Sequence, residues 1–542
     1  MKKSIMAHKA RIVILITLIS ACLTSAGWAA NYYVDAINGN DTNTGTQTAP
    51  WKTVAKVNST TRAGDTVSFN SGGVWNESLT PVSGTSLNST IYKSYGTGSK
   101  PKIKGMVLNN KSYILVQDLE IWNDNANYPV YIYNGSNHIT VKNCYVWASS
   151  SCGWWAAFYV TNANYNDFEY NTVEHQNFSG LHDAFNLDQG SSHNIIKYNT
   201  LGDAAHYSLS LVGASNTNPT WESSYNYIGY NTITNTRGAP AGICTTTNNN
   251  IIEYNKMSSG NNGMVDQYPT AFKLLGSNNV FRYNILKDMP AGTTNGRGMR
   301  SETYLYASGW PVNKATYNHV YNNVITNLGG TEAANGAIYI GTNTTDSTAQ
   351  NAFNVFKNNI VFNNTLPYEI TKQNSPLIHD NAFTNNIIFR SGATNVVYSD
   401  GSGKSVASQQ AYDSLWKGNI QSDPILDTSF MPLAGSPAIN GGANLTTITS
   451  PSGTGTSFTV ADSAYFTDGM GIVSGDTIQI GSQTAIITAI NYSTNVLNLD
   501  RTVTWTQGTP VNLPYNGTKP NIGLVQASAS APIVLPVPRN LQ

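Results

Sequence analysis

The chain has 542 residues, with 30 Lys and Arg balanced by 30 Asp and Glu and 11% aromatic side chains. That balance offers no basic face and argues against a nucleic-acid partner. Beyond the first residues no apolar run approaches the roughly 18 residues of a membrane-crossing helix, which argues against a helical span.

Residues 1–29 read as an export signal. Lys2, Lys3, Lys9 and Arg11 precede the apolar run from Ile12 to Leu18, and Gly27 and Ala29 offer a cleavage site after Ala29. The expected location is therefore secreted or cell surface. Ile19-Ser20-Ala21-Cys22 loosely resembles a lipoprotein signal that would anchor the chain by lipid at Cys22, but the site at Ala29 is the better of the two. Without the four basic residues of the leader, 26 Lys and Arg face 30 Asp and Glu, so the mature chain is mildly acidic. Three cysteines remain, Cys144, Cys152 and Cys244, and the first two form the only close pair. A disulfide and two buried thiols are both open to them.

Residues 30–105 read as an N-terminal cap and first coils, beginning YYVDAINGNDTNTGTQTAPWKTVAKVN: a strand, a Gly/Asn/Asp loop and a short amphipathic helix. Residues 106–445 repeat one phrase, an apolar stretch followed by Asn, one residue and an aliphatic residue, as in NIIKYNTL, NYIGYNTI, NIIEYNKM and NVFRYNIL. The markers Asp118, Asn143, Asn171, Asn199, Asn231, Asn255, Asn284, Asn323, Asn359 and Asn386 lie 24 to 39 residues apart. Such spacing, with short β-branched runs and little helical periodicity, fits a solenoid whose every turn supplies a few short strands. Each marker asparagine is expected at a turn in a left-handed backbone conformation, its amide bonding the equivalent amide about 4.8 Å away. Residues 446–513 alternate with Gly-Asp and Gly-Ser turns and read as an inserted small antiparallel β module. Residues 514–542 read as a closing strand and a Pro/Ala/Ser tail.

The opening segment, the repeat and the terminal SDPILDTSFMPLAGSPAINGGANL resemble secreted right-handed parallel β-helix proteins of the pectate-lyase-like superfamily. The resemblance implies an all-β solenoid of about ten or more coils and a polysaccharide partner along its outer face. It admits a lyase, an epimerase or a hydrolase, and equally a non-catalytic adhesin, matrix or glycan-binding protein. It also admits calcium as a cofactor, although the residues do not match a calcium-dependent pectate-lyase set position by position. Nothing in the sequence fixes an oligomeric state.

Aligning AAFYV, DAFNL, YSLSL, AGICT, TAFKL and GAIYI puts Phe158, Phe185, Leu209, Ile243, Phe272 and Ile338 inward. The next residues, Tyr159, Asn186, Ser210, Cys244, Lys273 and Tyr339, then form an outward column. By the same alternation Trp155, His182, His206, Pro240 and Pro269 point outward three places earlier. His182 and His206 are thus expected side by side on adjacent coils, a proton-transfer pair or, with Asp183 and Asp203, metal ligands. The catalytic candidates are His182, His206, Lys273, Arg300 and Tyr159. Longer spacings mark loops bearing Trp221, Arg297, Glu302 and Trp310, which with Trp155, Asn186 and Asp188 are the candidate substrate contacts. Rings stack on sugar faces, and Arg binds carboxylates in a fork.

Overall fold

The structure, a computed structural model, describes residues 29–524 apart from 126, 215–219, 244–246, 260–269, 290–296, 304–310 and 331–333. Its basic unit is a three- to six-residue strand cut off by a residue of positive φ. Tyr165 (φ 58°) and Tyr170 (φ 55°) bracket Asp167–Glu169, and His193 (φ 58°) and Tyr198 (φ 57°) bracket Ile195–Lys197 one coil later. A left-handed non-glycine residue costs about 1–2 kcal/mol. Hydrogen bonding offsets that cost, because the next residue in each case is within a buried asparagine ladder. From Asn171 through Asn199, Asn231, Asn255 and onward to Asn419, each ladder asparagine donates its backbone N–H and its Nδ2 to the Oδ1 of the next, at 2.8 to 3.1 Å. A second ladder runs from Asn166 to Asn381 along the opposite edge of the same sheet.

These ladders refine the expectation in two ways. The left-handed residue is not the ladder asparagine but the one before it, a tyrosine through Tyr170, Tyr198, Tyr230, Tyr254 and Tyr283, whose rings stack 4.8 to 5.1 Å apart. The first two markers are displaced by one: Asp118 and Asn143 hold the left-handed position, and Cys144 stands where the ladder would continue, its N–H donated to Asn171.

Among the described residues the coils stack into three long parallel sheets of 14, 12 and 12 strands and a short parallel one of three, the third long sheet being closed by an antiparallel pair, Val397–Ser399 with Ser402–Lys404. Inside, like residues stack on like: Phe158 on Phe185 at 4.6 Å, and Phe356 on Phe383 on Trp416 at 4.5 and 4.2 Å. The cap is as expected, a strand Asn31–Val34 and a helix Val54–Thr60 whose Val54 and Val57 cover the core. No helix among the described residues is long and apolar enough to cross a membrane. Cys144 and Cys152 are free and buried, so the disulfide alternative is not realised.

Six antiparallel strands between Thr446 and Asn512 form the expected module. It lies on the fourteen-stranded sheet, burying Tyr227, Ile251, Val280 and Tyr321 against Ile448, Phe458, Ile478 and Leu497. Arg282 locks it, bonding Asp476 through both terminal nitrogens (2.8 and 2.6 Å) and Glu253 through Nε (2.6 Å). Beyond the module the chain returns to the coils, with no strand among the described residues 514–524 and the rest of the expected closing segment and tail outside them: the Ile522 N–H donates to the Ala438 carbonyl and the Gly523 N–H to that of Asn358.

Candidate active site

The third sheet carries the aligned strands, and its register corrects one of them. Leu209 pairs with Ala241, and Ala241 with Phe272, so Ala241 rather than Ile243 takes the inward place. The outer column therefore runs Tyr131, Tyr159, Asn186, Ser210, Gly242, Lys273, Arg300, Tyr339. Cys244 and Pro269 lie outside the described residues.

Strict alternation fails at the start of each strand. Ala157 and Phe158 are both in the core, as are Ala184 and Phe185. This double inward step brings Asp183 to the same side as Asn186, three residues on, and Asn186 Nδ2 donates to Asp183 Oδ2 at 2.8 Å. Ser210 donates its hydroxyl to the same oxygen. The other carboxylate oxygen, Oδ1, accepts from the Tyr207 N–H at 2.9 Å and bonds His206 Nδ1 at 3.0 Å. Asp183 is thus a buried carboxylate with four partners. An ionised carboxylate only accepts, so this contact puts a proton on His206 Nδ1. The His206 side chain is 21% exposed, so the imidazole sits at the surface over a buried base.

His182 and His206 are neighbours in register, the His206 N–H donating to the His182 carbonyl at 2.9 Å. Their rings diverge. His182 stacks on His175 at 4.8 Å, while His206 meets Tyr207 edge-on at 4.0 Å. His175 donates from one nitrogen to the Trp154 carbonyl and accepts the Asn177 N–H at the other, and burial, with His182 beside it, holds its pKa down at about 4. His175 is therefore a neutral structural residue, and the expected histidine pair becomes an Asp183–His206 dyad.

Above the dyad lies an aromatic group. Tyr128 stacks on Tyr159 at 4.5 Å, Tyr131 on Tyr133 at 4.0 Å, and Trp154 leans on Tyr128 at 4.8 Å. Tyr159 donates its hydroxyl to Asp188 at 2.5 Å. Burial, followed by the Asp188 charge, pushes the Tyr159 hydroxyl far up, and burial pushes the Asp188 carboxyl up to about 6. Trp155 is exposed, and its carbonyl accepts the Asp183 N–H at 2.6 Å.

Below the dyad, Lys273 stands two rungs from Ser210 with Nζ 5.2 Å from the Tyr207 ring centre. Arg300, one rung further, is buried and ion-paired with Glu302, equally buried. Arg300 is thereby removed from the catalytic candidates and Glu302 from the substrate contacts, because each charge is already answered. Trp221 is exposed and lies over Gly190, off the column at the turn after Asp183–Asp188. Arg297 pairs in register with Thr270, its side chain outside the described residues, as is Trp310 altogether. Asp203 bonds the N–H and hydroxyl of Thr236 and does not join Asp183. Among the described residues no group of three or more His, Cys, Asp and Glu could hold a metal ion.

Tyr207 and the tyrosines above Tyr159 were not among the expected site residues. Extending the alignment one coil upward, to VYIYNG, would have found Tyr131. Tyr207 falls on the inward parity and carried no such signal.

Residues 78–222, which include the dyad and the aromatic group, match the family model of the right-handed β-helix region. The fold is a right-handed parallel β-helix. No curated protein matches the chain in sequence. Among solved structures, the β-helix is similar to an alginate lyase from Paenibacillus sp. str. FPU-7, at 15% identity over 64% of this chain and 97% of that one, with a TM-score of 0.39. It is also similar to a PL6 family polysaccharide lyase from Pseudopedobacter saltans (15%, 68% and 90%, 0.40) and to a GH136 lacto-N-biosidase from Eubacterium ramulus (14%, 65% and 68%, 0.34).

Proposed function

We propose that this β-helix is an exported, glycan-active enzyme that moves a proton at His206 on a polysaccharide lying along the outer column from Tyr131 to Lys273. The observation that carries the reading is the Asp183 site, where the Tyr207 amide, the Ser210 hydroxyl, the Asn186 amide and His206 Nδ1 converge on one carboxylate. A carboxylate so bound fixes the imidazole's tautomer and orientation and stabilises the imidazolium that forms when Nε2 takes a proton. Asn186 adds a binding feature: its Oδ1 is buried and has no hydrogen-bond partner among the described residues, which suits a sugar hydroxyl as donor.

Abstraction of a carbon-bound proton, as in a lyase or epimerase, needs one oriented base, and His206 is that group. The aromatic rings at Tyr131 and Tyr159 supply flat apolar surface to the same chain.

The test is to incubate the secreted protein with polyuronates and neutral glycans, with calcium and with chelator, following unsaturated products and reducing ends. Unsaturated products that disappear in His206→Ala support elimination, and calcium dependence would settle the cofactor. New reducing ends without unsaturation would replace elimination by hydrolysis. Binding without turnover would replace the enzyme by a glycan-binding protein. The export part is tested by sequencing the N-terminus of the secreted chain, which is expected to begin after Ala29.

A further inference from the structure

Along one edge of the fourteen-stranded sheet, the residues that precede the ladder asparagines form a column of their own. It runs Tyr170, Tyr198, Tyr230, Tyr254, Tyr283, Asn322, Asn358 and Asn385, all in the left-handed conformation. Its lower part is occupied by the end of the described chain. Asn322 Nδ2 donates to the carbonyls of Asn521 (3.1 Å) and Gly523 (2.7 Å), and the Gly523 N–H donates to the Asn358 carbonyl at 2.7 Å. Glycine is required there, because a Cβ would stand 2.5 Å from Ile360 Cδ1. The Gly523 N–H meets Asn358 and its carbonyl meets Asn322, one coil earlier, so the chain at this point runs from the last coils toward the first. The next places on the column are Tyr283 and Tyr254.

The upper part is uncovered. Tyr283 is buried, whereas Tyr254, Tyr230 and Tyr170 are 40, 38 and 40% exposed. Their rings stack face to face at 4.8 to 5.1 Å, so the faces are spent on one another and only the rims look outward. A sugar packs on an aromatic face, and this stripe offers it none. The hydroxyls of Tyr170, Tyr198, Tyr230 and Tyr254 make no hydrogen bond among the described residues, which leaves a row of donors beside the apolar rims. A partner that fits is apolar along its length and carries free carbonyls in step with the coils.

The continuation of the chain has that chemistry. Residues 525–542 lie outside the described residues, and their sequence includes Ala531-Pro532-Ile533-Val534-Leu535-Pro536-Val537-Pro538. Proline-rich sequence favours the polyproline II helix, which makes no internal hydrogen bonds and repeats every three residues, about 9.3 Å. Two coils measure about 9.6 Å, so Pro532, Leu535 and Pro538 recur in step with every second tyrosine. The reach also suits. Eight residues separate Leu524 from Pro532, about 25 Å when extended, and five coils separate Asn322 from Tyr170, about 24 Å.

We infer that the tyrosine stack from Tyr170 to Tyr254 is the docking surface for the chain's own segment Pro532–Pro538, which continues the path begun at Ile522–Leu524. Proline-rich segments are bound by aromatic surfaces in this way because their extended form loses little entropy on docking.

The experiment is hydroxyl-radical footprinting of the full chain, read tyrosine by tyrosine by mass spectrometry. Tyr165 and Tyr225, 47 and 42% exposed on the opposite edge of the same sheet, are the internal reference. Tyr170, Tyr230 and Tyr254 are expected to be labelled several-fold less than that reference. Leu535→Asp, which shifts docking by about tenfold or more, is expected to raise them to it. Tyr230→Ala supplies the converse measurement, since trypsin is then expected to cut after Arg539 faster than in the wild type. Equal labelling of the two edges in the wild type overturns the inference, as does tryptic cleavage untouched by Tyr230→Ala. Protection that survives Leu535→Asp overturns it too, and its growth with protein concentration would assign the stack to a second copy of the chain.

Discussion

Two buried charges on different faces of the same coils are answered in opposite ways. On the fourteen-stranded sheet Arg282 is buried with Glu253 and Asp476 on either side, under a module that supplies the second carboxylate from 194 residues away. On the third sheet Asp183 is buried too, yet its partners are neutral donors and an imidazole that reaches the surface. The first arrangement closes a surface, since every charge has a fixed opposite and apolar residues such as Ile251 and Val280 fill the rest. In the proposed reading the second holds a proton acceptor, and what separates a structural charge from a reactive one is whether its partners are themselves charged, as they are at Arg282 and also at Arg300 on the third sheet.

The comparison is broken most directly at Asp183. Asp183→Asn presents an amide to groups that donate to a carboxylate and abolishes the tautomer control of His206, so kcat is expected to fall by about 10²- to 10⁴-fold. His206→Ala should show a similar loss of rate with little change in melting temperature, and an enzyme that retains full rate in both variants would end the dyad as the site. On the other face Arg282→Ala leaves Glu253 and Asp476 buried without their cation, which costs about 3–5 kcal/mol. Urea unfolding is the measurement. A loss below about 1 kcal/mol would mean that the module is held by its apolar contacts alone. Between the two faces, Asn255→Ala removes the acceptor for the Asn231 amide and side chain and should cost about 1–3 kcal/mol.

How far the sequence showed these faces depended on side-chain size and on chain distance. The coils were legible because each turn repeats an apolar stretch and an asparagine, and the ladder needs that asparagine at each level from Asn171 to Asn419. The column was legible wherever a large residue marked the inward place, as at Phe158, Phe185 and Phe272. It slipped by two at AGICT, where Ala241 takes that place and Ile243 looks more like a core residue. Asp183 was read only as a metal ligand and not as the partner of His206, because period-two alternation puts it inward beside Phe185, and only the paired inward step of Ala184 and Phe185 turns it out. The module's boundaries could be read from its turns. Its docking could not, because the contact joins Arg282 to Asp476, and no local pattern links them.

The smallest expected effect lies at the upper edge of the site and is read as a pH dependence. Asp188 ordinarily titrates at 3.8, and burial raises it to about 6 in the fold, where it accepts the Tyr159 hydroxyl. Between those values the folded protein keeps a proton that the unfolded chain has released. Stability contributed by that proton is full below pH 3.8 and is lost as the pH rises toward 6. At pH 8 the wild type therefore carries an ionised, desolvated carboxylate, which Asp188→Asn replaces with a neutral acceptor for the same hydroxyl. The variant is expected to melt higher than the wild type at pH 8, with the difference shrinking as the pH is lowered through 6. His175 changes in the opposite sense, since its depressed value makes the fold lose stability as pH falls from 6.5 toward 4. Taking the difference between the two proteins at each pH cancels the His175 contribution. A difference that stays flat from pH 8 to pH 4 would mean that Asp188 is ionised throughout and that the Tyr159 hydroxyl faces a permanent charge.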